Sequence, residues 1–193
     1  MASQASHMGS CTAGGQAFTL ARSVVFVGFM GAGKTSIARR IARNTRLVSI
    51  DADTYFTHSV GVSAGTFIRE YGEPAFRAQE TAVLRELLDR DPAFISCGGG
   101  VVERQVNREL LSGQFVVFLD ISADEARARI TNLGSRPLFG DMEHARALEE
   151  HRRPLYEEVA DVTVAVAGRS IAALADEVES LLEERGILCR QPR

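Results

Sequence analysis

The feature that most constrains this chain is a glycine-rich segment, Gly28–Thr35 (GFMGAGKT), which fits the pattern GxxxxGK[ST] in full. It directly follows an apolar run that we predict to be a strand and directly precedes a helical pattern. In that order, backbone N–H groups and the helix N-terminus can surround phosphate oxygens, a lysine ammonium can reach the outer phosphates, and a threonine hydroxyl can ligate Mg²⁺. The alternative interpretation is a glycine-rich turn without a ligand. We predict a nucleotide-phosphate site formed by Gly31, Ala32, Gly33, Lys34, Thr35 and Ser36.

The composition is that of one globular domain. Of the 193 residues, 45% are hydrophobic and 24% are charged, which excludes a disordered chain. No apolar run approaches the roughly 18 residues of a membrane span, so we predict a soluble protein without a membrane partner. The net charge of −3 argues against a nucleic-acid partner. Among the 22 basic residues Lys34 is the only lysine, which singles out the phosphate loop.

Cysteines and histidines form no metal-binding pattern. Cys11, Cys97 and Cys189 are widely separated and odd in number, which is typical of a reducing compartment, and we predict a cytoplasmic protein. The four histidines lack metal-ligand spacing such as HExxH. The sequence therefore gives no indication of a zinc site built by the protein.

Short apolar runs alternate with longer helical patterns, which predicts βαβ units and an α/β fold with a parallel sheet. The predicted strands are Val24–Gly28, Leu47–Asp51, Ala93–Cys97, Phe115–Asp120 and Val162–Val166. Helix signals include Pro74 in a first turn, a capping box at Ser122–Glu125, and an apolar stripe that ends before Gly186. Residues 52–92 are about twice as long as one crossover needs. Residues 134–142 contain two glycines and a proline, as a mobile loop would.

Two carboxylates follow the second predicted strand, at Asp51 and Asp53. Alternation along a strand end would place both on one side, at the carboxyl edge of the sheet where open α/β sheets bind ligands. One could lie beside Mg²⁺ while the other takes a proton from an acceptor hydroxyl. The alternative is that Asp53 only caps a helix that begins near Thr54.

Three consecutive glycines, Gly98–Gly100, follow the third predicted strand. Such a cluster allows a backbone to approach a ligand closely, although it also occurs in plain loops. Predicted helices nearby carry arginines that could grip a carboxylate or a phosphate, although most surface arginines are merely solvated. These arginines are Arg77, Arg129, Arg136 and Arg152.

Together these motifs resemble the shikimate kinase family, in its order and spacing, over about residues 22–184. The motifs that carry the resemblance are Gly28–Thr35, Asp51–Asp53, Gly72–Glu80 (GEPAFRAQE), Gly98–Gly100, Arg136–Leu138 and Arg152–Tyr156 (RRPLY). Two positions depart mildly from the family pattern: Ile68 stands where many members have Phe, and Cys97 where Thr or Leu is common.

The resemblance implies the nucleoside-monophosphate-kinase variety of the P-loop fold, with a five-stranded parallel sheet in the order 2-3-1-4-5. It implies ATP and Mg²⁺ as cofactors and shikimate as the acceptor. Asp53, as base or orienting group, would bind the acceptor hydroxyls. Arg77 and Arg152 would hold its carboxylate, and the Gly98–Gly100 backbone would pack on it. Asp51 and Thr35, with Ser96 more distant, would surround Mg²⁺.

The nucleotide end of the site follows from the same resemblance. Arg136 would approach the transferring phosphate from a lid, and with Lys34 and Asp53 it would complete the catalytic set. Arg129 would contact the nucleotide, and the turn near Arg169 would lie by the adenine.

The predicted boundaries are a flexible leader at 1–21, in which Ser6–Met8 suggests a cloning remnant, one kinase domain at 22–186 and a tail at 187–193. Within the domain we expect an acceptor-binding insert at 52–82 and a lid at 132–144. We expect a monomer.

Four alternative functions compete with this interpretation. The segment Gly61–Gly65 matches the GxSxG elbow of hydrolases, but that elbow requires a preceding strand and residues 54–60 are predicted to be helical. A GTPase would need an NKxD motif, which a chain with one lysine at position 34 cannot contain. Gluconate kinase shares the fold and the phosphate loop, but its family does not usually combine the three glycines with the FRxxE and RxPLY segments. A regulator that binds ATP without catalysis would not need the polar groups that are present.

Overall fold

A five-stranded parallel sheet forms the centre of the molecule, for which the computed structural model describes residues 17–129 and 140–191. In these residues the strands are β1 (Phe18–Leu20), β2 (Val24–Val27), β3 (Ser49–Asp51), β4 (Phe94–Ser96), β5 (Phe115–Asp120), β6 (Val162–Ala165) and β7 (Leu188–Arg190). The helices are α1 (Lys34–Thr45), α2 (Ala52–Val60), α3 (Ala64–Tyr71), α4 (Glu73–Leu88), α5 (Gln105–Leu111), α6 (Ala123–Arg129), α7 (Met142–Val159) and α8 (Ile171–Glu184).

The strand order of the sheet is β3-β4-β2-β5-β6, and every neighbouring pair is parallel. Numbered over the five predicted strands alone, this is the order 2-3-1-4-5, so the predicted fold class is confirmed. All five predicted strands are present, four of them one or two residues shorter than predicted. None of the helices in the described ranges is long and apolar enough to cross a membrane.

Strand β2 shows why the strands of the sheet have near-continuous apolar sequences. Its four residues are fully buried, and they alternate between two cores on opposite faces of the sheet. Val24 and Phe26 belong to the core that includes side chains of α1 and α8. Val25 and Val27 belong to the core that includes side chains of α4 and α7. A strand covered on both faces needs an apolar residue at every position.

Local signals set the helix ends where the sequence predicts them. Ser122 and Glu125 form the reciprocal capping box. The Ser122 N–H donates to the Glu125 carboxylate at 3.1 Å, and the Glu125 N–H donates to the Ser122 hydroxyl oxygen at 3.3 Å. Gly61 ends α2 at a φ of +83°, and the Ser63 hydroxyl accepts from the Thr66 nitrogen at the start of α3. Ser63 therefore follows a helix and a turn, which excludes the hydrolase elbow.

The predicted bounds of the leader and the tail are wrong where each adjoins the domain. β1 and β7 pair antiparallel, with Phe18 opposite Arg190 and Leu20 opposite Leu188. Leu188 is buried, and Phe18 and Leu20 pack against the core shared by α1 and α8. The Gly- and Ser-rich composition of the first residues hid this short apolar segment at their end.

The predicted lid lies largely outside the description. Residues 132–139, with Arg136 among them, fall outside the described residues, and α7 begins at Met142. The predicted acceptor insert spans α2, α3 and the first ten residues of α4. Its role in acceptor binding stays a prediction.

Candidate active site

A cleft of about 790 Å³ lies at the carboxyl edge of the sheet, where ligands bind in open α/β folds. It is lined by the phosphate loop, by the ends of β3 and β4, and by the helices of the insert. Most of the predicted site residues meet there: Gly31, Gly33, Lys34, Thr35, Ser36, Asp51, Asp53, Arg77, Gly98, Gly99, Gly100, Arg129 and Arg152.

The phosphate loop is held in the conformation that its glycines allow. Gly28, Gly31 and Gly33 have φ values of +134°, +85° and +91°, which residues with a side chain rarely adopt. A Cβ atom on Gly28 would lie only 2.5 Å from the Leu119 carbonyl oxygen. No described side chain caps the first turn of α1, which leaves its N–H groups toward the cleft.

Lys34 lies across this loop and lines the cleft. Its Nζ donates to the carbonyl oxygens of Gly28 and Phe29, at 2.7 and 3.0 Å. These bonds hold a compact ammonium at the N-terminus of α1, where the helix dipole also attracts anions. Ala32 contributes no side chain to the cleft, because its methyl group is buried in the core.

Asp51 gathers three hydroxyl groups around its carboxylate. Its Oδ2 accepts from Thr35 Oγ1 at 2.6 Å and from Ser96 Oγ at 3.0 Å, and its Oδ1 accepts from the Thr54 nitrogen and hydroxyl at 2.9 Å each. Burial alone would raise the pKa of Asp51, but these hydrogen bonds outweigh it and lower the pKa below its ordinary value. The carboxylate is therefore an anion at neutral pH. An oxygen cluster of this kind fits a hard cation such as Mg²⁺.

The two carboxylates of Asp51–Asp53 occupy different elements. Asp51 ends β3 and caps α2 through Thr54, so the alternative that Asp53 is the cap is wrong. The expected alternation along a strand end is also wrong, because Asp53 lies in the first turn of α2. Asp53 still lines the cleft, and its Oδ1 is 2.9 Å from the place where a Cβ atom on Gly98 would lie.

Arg77 enters the cleft from α4 beside two carboxylates. Its guanidinium donates to Glu80 at 2.9 Å and to Glu73 at 3.1 Å, and it lies 5.2 Å from the centre of the Phe76 ring. A Cβ atom on Gly100 would collide with this guanidinium. The absence of a side chain at Gly100 is what lets Arg77 reach the glycine turn.

Glu80 is a cleft residue to which the sequence analysis gave no role. Burial raises its pKa and the charge of Asp53 adds to that, although Arg77 and Arg152 oppose the shift. Its spacing of three residues from Arg77 on one helix was the available signal, since such residues are neighbours on a helix surface.

Arg152 reaches the cleft from α7 and is only 8% exposed. Its Nε donates to Glu103 at 2.7 Å, and its Nη1 is 3.6 Å from the place of a Cβ atom on Gly99. One turn further along α7, the buried Tyr156 donates its hydroxyl to the Gly99 carbonyl at 2.5 Å. The RxPLY segment therefore packs directly on the glycine turn.

Of the remaining residues predicted to bind the nucleotide, Arg129 lines the cleft and Arg169 does not. Arg129 lines the cleft and donates to the carbonyl oxygens of Val166 and Arg169. The Arg169 side chain does not line the cleft, because it bonds the Ala165 carbonyl and Glu177 on α8. A nucleotide contact by Arg169 stays a prediction, as does the role of Arg136, which lies outside the described residues.

Comparisons with known proteins show what the chain as a whole is similar to. The family model described as "Shikimate kinase" matches residues 30–183. A shikimate kinase of Corynebacterium glutamicum is 39% identical over 81% of this chain and 96% of its own length. That of Enterococcus faecalis is 38% identical over 84% and 99%. A solved shikimate kinase from Acinetobacter baumannii, in complex with shikimate, superposes with a TM-score of 0.80 at 30% identity, over 85% of this chain and 94% of that one.

Proposed function

The chain belongs to the shikimate kinase family, and on that premise we propose that it transfers the γ-phosphoryl group of ATP to the 3-hydroxyl of shikimate. The products are shikimate 3-phosphate and ADP, in the synthesis of aromatic amino acids. In such a transfer the acceptor oxygen forms a bond to phosphorus as the bond to the bridging oxygen of ADP breaks, and catalysis comes from positioning and charge neutralisation.

One observation carries the assignment of the acceptor site: the three glycines Gly98–Gly100 face polar side chains from three helices, with a different charged group at each glycine. Gly98 faces Asp53 and, further away, Glu80; Gly99 faces the hydroxyl of Tyr156 and the guanidinium of Arg152; and Gly100 faces Arg77. Shikimate is a cyclic triol with one carboxylate, so it requires cations at one end and a proton acceptor at the other. Two arginines and a carboxylate around a turn without side chains supply both.

Each of these groups has a role in the proposed reaction. Arg77 and Arg152 hold the acceptor carboxylate, because a guanidinium can bind a carboxylate through two parallel hydrogen bonds. Asp53 orients the acceptor hydroxyl and accepts its proton as the oxygen attacks. The low solvent exposure of Arg152 strengthens its attraction for the acceptor, because the local dielectric constant is lower than in water.

The phosphate loop binds and orients the triphosphate. Backbone N–H groups of Gly31–Ser36 surround its oxygens, and Lys34 reaches the outer phosphates. Arg129 contacts the nucleotide from α6, and Arg136 adds a positive charge to the transferring group. The turn at Arg169 is proposed to lie by the adenine.

Thr35 and Asp51, with Ser96 behind them, would hold Mg²⁺. All three side chains offer oxygen atoms, within 3.2 Å of one another in each pair, which is the donor chemistry that Mg²⁺ prefers. When bound, the metal neutralises part of the charge on the phosphates. We propose further that the enzyme acts as a monomer in the cytoplasm and, because its net charge is −3, without a nucleic-acid partner.

An assay of ADP formation from ATP and Mg²⁺ tests the function, run with shikimate, with gluconate and without acceptor. We expect turnover that depends on shikimate and exceeds both other rates by at least about a hundredfold, since uncoupled hydrolysis lacks an oriented nucleophile. Turnover with gluconate would indicate a gluconate kinase. Binding of ATP without turnover on either acceptor would indicate a regulator.

A further inference from the structure

Arg152 is tied to a carboxylate that does not belong to the cleft. Glu103 accepts the Arg152 Nε–H at 2.7 Å, and it ends the short 3₁₀ turn Val101–Glu103 that follows the three glycines. Arg152 is among the residues that line the cleft, whereas Glu103 is not. Glu103 therefore contacts the guanidinium from behind, on the side away from the acceptor.

The geometry of this contact controls the direction of the guanidinium. The group is planar, so a bond at Nε restricts rotation about the end of the side chain, and a second hydrogen bond, between the guanidinium and the buried Tyr156 hydroxyl, restricts it further. The Nη1 atom lies on the Gly99 side, toward the cleft. The bond to Glu103 thus directs the terminal N–H groups of the guanidinium toward the cleft, where they can donate to a carboxylate.

Glu103 is itself fixed between two residues of α7. Its second oxygen lies 3.1 Å from Nε2 of His151, which is exposed, while Arg152 is buried. Burial alone would raise the pKa of Glu103, but the hydrogen bonds and charges of Arg152 and His151 lower it. At neutral pH Glu103 is therefore an anion with both of its oxygens in use.

The second arginine of the acceptor site is held differently. Arg77 pairs with Glu80, which lines the cleft, and with Glu73 on its own helix. Arg152 is paired across the fold, from α7 to the turn after the glycines. A change at Glu103 can therefore alter Arg152 while leaving the ion pairs of Arg77 intact.

We propose that Glu103 is a positioning residue, which sets the affinity for the acceptor by fixing the orientation of Arg152. The proposal rests on the proposed function, in which Arg152 holds the acceptor carboxylate. Glu103 does not contact the transferring phosphate, so its effect should appear in the KM for shikimate and not in kcat.

The first experiment measures steady-state kinetics of Glu103→Ala with shikimate and ATP varied in turn. We expect the KM for shikimate to rise about tenfold, with kcat and the KM for ATP changed less than about twofold. The matched control is Glu158→Ala, which removes a pair of 2.9 Å between α7 and Arg108 on α5 but does not touch Arg152. Its kinetics should equal those of the wild type, and a melting temperature for each variant identifies general loosening of α7.

Two more variants test whether Glu103 acts through its hydrogen bond to Arg152. Glu103→Gln retains an oxygen that can accept the Nε–H, and it should recover most of the loss. Glu103→Ala should add no further increase in KM once Arg152 is Ala, because residues that act through one contact are not additive.

The proposal is overturned if Arg152→Ala weakens shikimate binding while Glu103→Ala does not, if the two losses are additive, or if Glu103→Gln is as weak as Glu103→Ala. If Arg152→Ala itself leaves the KM for shikimate unchanged, the proposed role of Arg152 is wrong and the role of Glu103 fails with it.

Discussion

The two ends of the cleft are built in different ways. At the phosphate end, Lys34 bonds carbonyl oxygens five and six residues away, within one continuous loop and the helix that follows it. At the acceptor end, Asp53, Arg77, Gly98–Gly100 and Arg152 come from four separate segments, brought together by the sheet and by α7. The first end is specified by a short motif, whereas the second depends on the whole fold. Changes at the two ends should therefore affect different kinetic quantities.

The largest effect is expected at the acceptor end, from Asp53→Asn. The change keeps the shape and one acceptor oxygen but removes the group that takes the proton, which commonly costs a factor of about 10² to 10⁴ in rate. Binding of ATP should remain, and calorimetry can measure it, since the chain has no Trp for intrinsic fluorescence. A variant that phosphorylates shikimate normally would show that Asp53 has no part in proton transfer.

At the phosphate end, Lys34→Arg should reduce turnover to less than about a tenth, a loss of more than about 1.4 kcal/mol in transition-state stabilisation. The planar guanidinium is larger than the ammonium that two carbonyl oxygens hold at 2.7 and 3.0 Å. The reverse exchange on the same helix, Arg43→Lys at an exposed position, is the matched control and should leave the rate unchanged. Wild-type turnover by Lys34→Arg would mean that the site accepts any cation.

A smaller change is expected from Gly100→Ala, whose Cβ atom would collide with the Arg77 guanidinium. The end of a flexible side chain can move, so the melting temperature should change little. The KM for shikimate should nevertheless rise, by about tenfold if one charged hydrogen bond is lost. Gly113→Ala, where the nearest atom is the Leu110 carbonyl oxygen at 3.8 Å, is the control. Equal effects of both variants on KM would contradict the role of Arg77.

The smallest effect is expected from Asp51→Asn, measured as the Mg²⁺ concentration that gives half-maximal activity. The variant loses the negative charge beside Thr35 and Ser96, so this concentration should rise several-fold, with shikimate binding nearly intact. If the metal requirement changes in Asp53→Asn and not in Asp51→Asn, the assignment of the two carboxylates is reversed.

The difference between a site built from one continuous segment and a site built from distant segments also determines what the sequence could predict. The five strands, the phosphate loop and the capping box at Ser122 follow from contiguous patterns, and the structure confirms them. The strand order came from the family resemblance, and it is confirmed too. Asp51 and Asp53 were predicted to reach the site, but the reason was wrong, because the strand ends two residues before Asp53. Local spacing cannot show that a helix starts directly at a strand end.

The side-chain contacts that support the acceptor site could not be predicted from the sequence. The bond from Arg152 to Glu103 joins residues 49 positions apart, and that from Tyr156 to Gly99 joins residues 57 positions apart. The strand β1 was missed because Gly- and Ser-rich residues precede it and because its partner β7 is distant in the sequence. Such contacts are set by tertiary packing and have no local pattern.

The most direct measurement is ³¹P nuclear magnetic resonance of wild-type protein with ATP, Mg²⁺ and shikimate, followed over time. We predict that the γ-phosphate signal is replaced by one phosphomonoester signal on the 3-hydroxyl of shikimate, in equal amount to the ADP formed. Release of inorganic phosphate without the ester, or phosphorylation at a different hydroxyl, would contradict the assignment of Asp53, Arg77 and Arg152 to the acceptor end.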